Sequence, residues 1–313
     1  MSRLLPDRFR CLKADMGIRL GVLVCSGLLW GPAPEASSRP LYRTTFSNPP
    51  FVPGSNTWSG TDGWSSNSTL LDGTESIVDL GGNNGAATLG FNPPSPVKTI
   101  IVSRDTNFDP TAGGFRYLRV RLQMAVTPST NGSVDTFSID FYGSRDWNSL
   151  YFSPNPVAGG RQSIGQAGPA GEPGQPPPPP PPIKNLEGTF PLSSFFTYEL
   201  VIDYPGGNWR GRLDGETTFS ETLEEAFSGL LQRIVFSWNI DNESQPGDNY
   251  LSVNNLTIES FRVHPDRIPV IKKKIKNLSN QLRKARGITN PATKLKTMKK
   301  LRQSIRLQKR LLV

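Results

Sequence analysis

Residues 117–124 have the sequence YLRVRLQM, in which apolar and polar side chains alternate without a break. The apolar side chains occupy the even-numbered positions: Leu118, Val120, Leu122 and Met124. Polar side chains lie at the odd-numbered positions between them. Successive side chains of a β-strand point to opposite faces of a sheet, so the pattern predicts a strand with one buried and one wet face. Such strands are typical of antiparallel sheets that cover a core on one side.

The same alternation recurs at residues 137–142, where it turns Asp140 to the outer face of a second strand. Strand-like segments continue along the body with Gly, Pro, Asn, Asp and Ser between them, at 42–46, 76–80, 86–91, 97–103, 115–126, 134–142, 150–152, 196–204, 209–213, 231–240 and 250–263. Residues 221–231 give the one short helical pattern. About eleven strands predict an all-β fold of two packed antiparallel sheets, a sandwich or jelly roll.

The first 36 residues have the pattern of a secretory signal peptide. Five basic residues precede or border an apolar run at 20–30, and small residues follow at Ala33 and Ala36. We therefore expect a secreted or cell-surface protein, extracellular or periplasmic, with no transmembrane segment in its mature form. Cys11 and Cys25 both lie in this leader, so the mature chain is expected to have no disulfide. An uncleaved signal anchor and a start at Met16 are the alternatives.

Charge divides the rest of the chain into two parts. Residues 262–313 contain 17 Lys/Arg and one acid, whereas the body between leader and tail contains 13 Lys/Arg and 22 acids. Two apolar stripes at helical spacing run through the tail: Ile271, Ile275, Leu278, Leu282 and Ala285, then Leu295, Met298, Leu301, Ile305 and Leu312. Asn290 and Pro291 suit the first positions of a second helix. Residues 264–313 are thus predicted to form a basic C-terminal α-helical hairpin.

This hairpin has almost no acids to neutralise its cations, which predicts an external anion as its partner. The candidate anion-binding residues are Lys272, Lys273, Lys276, Lys284, Lys296, Lys299, Lys300 and Arg306. An anionic envelope component or acidic polysaccharide suits an exported chain, and that compartment argues against nucleic acid as the partner. A solvated coiled hairpin, or one that docks on the acidic body, is the alternative.

Several short motifs resemble the concanavalin A-like (LamG-type) jelly-roll superfamily, in particular its secreted bacterial members. They are ELVIDY at 199–204, a Gly206-Gly207 turn, WRGRLDG at 209–215, GTDGW at 60–64 and YLSVNNLTI at 250–258. The resemblance implies one two-sheet jelly roll over residues 37–263, with the Gly/Pro-rich segment 165–183 as an inserted loop. The superfamily includes lectins, glucanases, lyases and adhesive modules, so the resemblance implies fold more than function.

Catalytic residues are sparse. Retaining glycoside hydrolysis requires two carboxylates about 5 Å apart, and residues 138–142, SIDFY, supply Asp140 alone. His264 is the single histidine, and no Gly-x-Ser-x-Gly nucleophile motif is present. The sequence therefore predicts a non-catalytic carbohydrate-binding or adhesive module that recognises a polysaccharide or cell-surface glycan. The alternatives are a polysaccharide hydrolase or lyase whose carboxylates converge from distant strands, and a purely structural envelope protein.

Aromatic side chains give the candidate sugar site, because an exposed aromatic ring can stack on the apolar face of a pyranose. Trp58, Trp64 and Trp147 lie in Gly/Ser/Asn-rich segments, and Tyr151 and Asp140 belong to neighbouring strand patterns. These five residues are the predicted carbohydrate-binding set. The alternative is that the tryptophans pack inside the sandwich.

Two oxygen-rich loops are candidate cation sites. Asp105, Asn107 and Asp109 place three side-chain oxygens at alternate positions, as Ca²⁺ prefers, and residues 241–249 form a second acidic loop. No cofactor is required by the predicted function, and calcium is an optional ligand. The alternative is that these are ordinary solvated turn residues.

Overall fold

The computed structural model describes residues 38–54, 58–66, 75–82, 84–90, 99–110, 112–143, 147–155, 159–167, 183–223 and 231–312. The predicted signal peptide, most of the Gly/Pro-rich segment and most of the predicted helix at 221–231 lie outside these residues. The described chain forms strands β1 Ser38–Thr44, β2 Trp64–Ser66, β3 Glu75–Asp79, β4 Gly85–Gly90, β5 Thr99–Phe108, β6 Tyr117–Thr127, β7 Thr136–Tyr142, β8 Trp147–Asn155, β9 Gly159–Ala167, β10 Lys184–Phe190, β11 Phe196–Asp203, β12 Asn208–Leu213, β13 Glu216–Thr222, β14 Leu231–Asn239 and β15 Tyr250–Phe261. Helices α1 Arg267–Ala285 and α2 Pro291–Arg310 follow.

The strands form two antiparallel sheets. Within the described residues, sheet A has the order β13-β12-β11-β6-β15-β4-β3, with β1 also paired to β15, and sheet B has the order β10-β9-β8-β7-β14-β5-β2. Strand β1 enters the sheet beside the last strand, so Ser38 lies opposite Phe261 and Thr44 opposite Leu256. The prediction of a two-sheet jelly-roll sandwich followed by two helices is confirmed.

The core lies between the sheets and is built from the apolar parity of each strand. In β6, Leu118, Val120, Leu122 and Met124 are at most 1% exposed. In β7 of the other sheet, the corresponding aromatic and aliphatic side chains, Phe137, Ile139 and Phe141, are fully buried. The outer faces keep the polar parity, so each sheet presents one polar surface away from the core.

Trp58 and Trp64 belong to this core, which corrects their prediction as exposed sugar-stacking residues. Their exposed fractions are 0% and 2%. The two indoles stack on each other with ring centroids 5.2 Å apart and planes 4° apart, and Phe236 packs against both. Trp64 donates its Nε1–H to the Tyr42 hydroxyl at 3.0 Å. Neither ring is accessible to a ligand.

Four strands are absent from the sequence prediction: β2, β9, β10 and β13. Three of them are edge strands, and β9 and β10 have the glycine-containing sequences GGRQSIGQA and KNLEGTF, in which apolar alternation is weak. The predicted inserted loop at 165–183 therefore starts too early, since Gly165 and Ala167 belong to β9. Likewise Glu221 and Thr222 end strand β13 and do not start a helix.

The C-terminal helices α1 and α2 pack mainly on each other. The Asn290 side chain accepts a hydrogen bond from the Thr293 N–H at 3.0 Å, and Pro291 follows it at the first helical position, as predicted. Ile271 and Ala285 of the first predicted stripe are buried. Leu295 of the second stripe is 73% exposed, so its assignment to the packed face is wrong. Neither described helix combines the length and apolarity that crossing a membrane requires.

Asp266 links the helices to sheet A. Its carboxylate accepts hydrogen bonds from Arg210 at 2.5 Å and from both terminal nitrogens of Arg212 at 2.8 and 2.9 Å. Burial by itself raises the pKa of Asp266, but these arginines outweigh that effect and lower it. The one acid of the tail is therefore bound to arginines of sheet A.

Candidate functional site

The outer face of sheet B brings the strongest set of site residues together. Ser138, Asp140 and Tyr142 of β7 point away from the core. The strand register places Tyr151, Ser149 and Trp147 of β8 beside them on one side, and Ser237, Val235 and Arg233 of β14 on the other. Three of the five predicted sugar-binding residues, Asp140, Trp147 and Tyr151, thus share one surface. The two buried tryptophans of the core do not belong to it.

Asp140 lies at the centre of this face and is only 6% exposed. Its Oδ2 accepts hydrogen bonds from the Ser138 hydroxyl at 3.2 Å and from the Ser237 hydroxyl at 3.0 Å. Burial raises the pKa of Asp140 and exceeds the opposing effect of the serine hydroxyls. The carboxyl group is thus held in a fixed place and is protonated more readily than an ordinary Asp.

Tyr142 and Trp147 form a stacked pair, with ring centroids 5.8 Å apart and planes 23° apart. Both rings are half-buried. Burial raises the pKa of Tyr142 to about 12, and the nearby Asp140 adds to this effect. Burial also raises the pKa of Tyr151. Both phenols therefore stay neutral near pH 7 and can donate or accept hydrogen bonds.

An open depression of about 470 Å³ lies beside the stacked pair. Tyr142 forms one wall, and the polar side chains of the lining come from β5 and β14: Ser103, Asp105, Asn107, Gln232 and Arg233. Arg233 donates from Nε to Asp105 Oδ1 at 2.8 Å. The depression therefore offers an aromatic wall with donors and acceptors around it, and its volume is within the range of small-ligand sites.

The sequence prediction missed Tyr142, Arg233, Ser103 and Gln232 as members of this site. Tyr142 carried a usable signal, because it follows Asp140 by two residues and so shares its face. The others lie on β5 and β14, and only the antiparallel register between these strands and β7 brings them near Tyr142. No local pattern contains that information.

The candidate calcium ligands fall at the edge of the same depression. Asp105 and Asn107 alternate on β5 and both line it, whereas Asp109 follows the end of that strand. Arg233 places a positive charge against Asp105, so a cation would compete with this ion pair. Among the residues that the structure describes, no group of three Asp, Glu, His or Cys side chains is arranged to hold a metal.

The second acidic loop is held by donors from the protein. Asp248 accepts hydrogen bonds from the Ser129 hydroxyl at 2.6 Å and the Thr130 N–H at 2.7 Å. Burial acts to raise the pKa of Asp248, but these bonds outweigh it and hold the pKa well below its usual range. Asp135, which is buried, accepts from Trp238 Nε1 at 3.1 Å and from the Gly247 N–H at 2.8 Å. These carboxylates brace the loop.

The basic hairpin presents its charge to solvent. All eight predicted anion-binding side chains are exposed: Lys272, Lys273, Lys276, Lys284, Lys296, Lys299, Lys300 and Arg306. Neither α1 nor α2 contains an acidic residue, and Asp266 just before α1 is bound to Arg210 and Arg212. The hairpin surface is therefore a continuous array of cations without counter-charges of its own.

No protein-family model matches the chain, and no curated protein matches its sequence. Among solved structures, the chain is similar to an endo-1,3-β-glucanase from Streptomyces sioyaensis, at 15% identity and a TM-score of 0.46 over 74% of this chain and 99% of that one. It is similar to the CBM2 module of the evolved Dit protein of Lactobacillus casei BL23 phage J-1, at 12% identity and a TM-score of 0.46 over 73% and 98%. It is also similar to a sialidase, at 12% identity and a TM-score of 0.39, covering 66% of this chain but only 18% of that protein's length. Likenesses of this size assign the chain to no family.

Proposed function

We propose that the protein is an exported carbohydrate-binding module that holds a glycan on the outer face of sheet B without cleaving it. The observation that carries the proposal is the depression beside the stacked Tyr142–Trp147 pair, where an aromatic wall adjoins polar side chains from β5 and β14. Sugars have this double character, since one face of a pyranose is apolar and its rim carries hydroxyls. Export, a cell-surface location and LamG-type affiliation are proposed from the leader pattern and the strand motifs.

In this proposal, a pyranose ring stacks on Tyr142, and Trp147 supports the phenol ring from behind. The sugar hydroxyls bond the exposed atoms of the Arg233–Asp105 ion pair and the side chains of Ser103, Asn107 and Gln232. Arg233 supplies donors only and Asp105 acceptors only, so the pair can satisfy two adjacent hydroxyls at once. The buried Asp140 fixes the strand that carries Tyr142 through its bonds to Ser138 and Ser237.

The surroundings of Asp140 favour binding over hydrolysis. Its direct cross-strand neighbours are Val235 and Ser149, and its neighbours on the same face of β7 are Ser138 and Tyr142. None of these is an acid, whereas retaining hydrolysis requires a second carboxylate about 5 Å away. Asp105 is bound to Arg233 and lies on another strand. A jelly-roll hydrolase or lyase is the competing proposal, and incubation with a polysaccharide panel decides it: new reducing ends or unsaturated products would establish catalysis.

The sugar site is tested by replacing Tyr142→Ala and Trp147→Ala and measuring glycan affinity by calorimetry, after an array has selected the ligand. We expect each substitution to weaken binding about tenfold, since aromatic contacts of this kind contribute on the order of 1 kcal/mol or more. Phe195→Ala is the control, because this exposed aromatic lies outside the depression. An array without any bound glycan, or equal losses in all three variants, would contradict the proposal and favour a purely structural envelope protein.

The basic hairpin is proposed to hold the module on an anionic envelope component or acidic polysaccharide. Its exposed cations, and the commitment of Asp266 to the sandwich, support this role. Deleting residues 267–313 removes 16 Lys/Arg and no acid. We expect the shortened protein to lose most of its retention on an anionic polysaccharide resin at low salt, and we expect the full chain to lose retention at high salt because such binding is screened. Retention that is unchanged by the deletion would refute the anchor.

A further inference from the structure

The outer face of sheet A, on the other sheet from the proposed glycan depression, has a polar depression of about 320 Å³. Four strands contribute its polar lining: Arg43 from β1, Arg121 and Gln123 from β6, Thr197 from β11, and Asn255 and Thr257 from β15. Among the described residues of the lining, Leu122 alone is apolar, and its side chain is buried in the core. A ligand here would be recognised by hydrogen bonds and charge.

The strand register places Arg43 and Arg121 on either side of Thr257. Arg43 lies opposite Thr257, and Thr257 lies opposite Arg121 on its other side. Because neighbouring strands are about 4.8 Å apart, the two arginine backbones are roughly 10 Å apart with Thr257 between them. In the adjoining row, Asn255 donates an amide N–H to Gln123 Oε1 at 2.7 Å, which leaves the Gln123 amide nitrogen to donate elsewhere.

These two arginines differ from the others on the same face. Arg119 pairs with Glu259 at 2.5 Å, and Arg212 pairs with Glu199 at 3.2 Å and with Asp266. Glu199 lies opposite Arg121 in the register, but its carboxylate is taken up by Arg212 and, at 3.8 Å, by Arg119. Among the described residues, Arg43 and Arg121 have no carboxylate partner. The depression therefore has two uncompensated positive charges, although the sandwich as a whole is acidic.

We propose that this depression binds the oxyanion group of an acidic saccharide, a carboxylate or a sulfate ester. A guanidinium presents donors in a planar fork that matches such groups, and two of them facing one hydroxyl can hold an oxyanion from both sides. The Thr197 and Thr257 hydroxyls and the Asn255 amide oxygen then bond the ring hydroxyls of the same sugar unit. This is a second saccharide site, independent of the Tyr142 depression, and it recognises charge where the first recognises an apolar ring face.

The test is an amide-resolved NMR titration of the full-length protein with a galacturonate trimer, read at the Thr257 and Gln123 amides. This local readout separates the site from any binding at the hairpin. We expect saturable shifts at both amides and none with the neutral methyl ester of the trimer. The double variant Arg43→Gln/Arg121→Gln is expected to raise the midpoint at least about tenfold, since two charge-assisted hydrogen-bonding groups are lost.

The matched control is Arg39→Gln/Arg116→Gln, which removes the same charge near the start of β1 and just before β6, from residues that are also exposed. Its midpoint is expected to stay within about twofold of the wild type. Competition by inorganic sulfate would extend the site to sulfate esters, and its absence would restrict it to carboxylates. Equal losses in the two double variants, shifts confined to the hairpin, or equal binding of the neutral ester would overturn the inference.

Discussion

Asp140 has its carboxyl group on a surface face and yet is almost closed to water. Its folded-state pKa lies above the unfolded value, so as pH rises the unfolded chain releases this proton first. The contribution of Asp140 to stability is therefore complete below about pH 4 and is lost as pH rises through the folded pKa. The strand that carries Tyr142 thus contains a group that favours the folded state under acidic conditions.

Replacing Asp140→Asn tests this titration directly. Asn keeps the shape and the acceptor oxygen but does not ionise, so the variant is expected to melt at a higher temperature than the wild type at pH 8 and at the same temperature as the wild type at pH 3. Melting curves across this pH range provide the measurement. A difference that is the same at both ends would show that ionisation is not its cause.

Trp58 shows why a residue's loop context misleads. Its neighbours are Gly, Ser and Asn, which predict exposure, but its ring packs against Phe46 and Trp64 and against Phe236 from a distant strand. We expect Trp58→Ala to lower the free energy of unfolding by about 3–5 kcal/mol in urea titrations. Glycan affinity of the folded fraction should stay within twofold of the wild type. A selective loss of glycan binding with little loss of stability would return Trp58 to the ligand site.

Among the elements, strand β12 packs closely against its neighbours only because Gly211 has no side chain. A Cβ at Gly211 would come within 2.2 Å of a Phe219 ring carbon and 2.3 Å of the Tyr198 hydroxyl, and the register between β12 and β13 shifts at this point. Gly211→Ala is expected to destabilise the protein by about 1–3 kcal/mol, since the surrounding core must move. The measurement is denaturant unfolding.

Gly287→Ala is the matched control for this prediction. Its new Cβ would meet the Lys284 carbonyl oxygen at an ordinary 3.4 Å, between the two helices. We expect no loss of stability there. Equal effects of the two alanines would show that the crowding around Gly211 relaxes without cost.

Element boundaries were predictable where the pattern was strong. The alternation of 117–124 and 137–142 predicted β6 and β7 and their buried faces, whereas the edge strands β2, β10 and β13 depend on pairing with a neighbour more than on their own apolar residues. An α-helix turns about 100° per residue. Around the axis of α2, the Leu295 side chain therefore projects about 100° away from the mean direction of Leu301 and Ile305. Sequence spacing alone therefore wrongly assigned Leu295 to the packed face of α2.

At the scale of the molecule, the division of charge predicted a hairpin separate from the sandwich, and the two helices follow the sandwich as expected. The sequence could not predict that the outer face of sheet A gathers five arginines, Arg43, Arg119, Arg121, Arg210 and Arg212, because the strands that carry them are far apart in the chain. Net charge gives an average over surfaces, and the register decides where the charges lie.

Asp266 is the molecular joint between these parts, and Asp266→Asn is expected to loosen it. Because its folded pKa is lowered, the contribution of Asp266 is present above about pH 4 and is lost as pH falls through the folded value. At pH 7 we expect tryptic cleavage at Arg262 or Arg267 to be about threefold to tenfold faster in the variant. Glu216→Gln, an exposed acid on neighbouring strand β13, is the control. Equal cleavage rates in wild type and Asp266→Asn would show that the arginines do not hold the joint.

The pairing of the first strand with the last has a mechanical consequence. Ser38 and Phe261 face each other at one end of this pair, so tension applied through the flanking chain would enter both strands at the same end. The hydrogen bonds between the two strands would then open one after another. A pull at opposite ends of the pair would instead load all of these hydrogen bonds together. A sandwich stretched between its two flanks should therefore yield at low force, with β1 peeling away before the sheets separate.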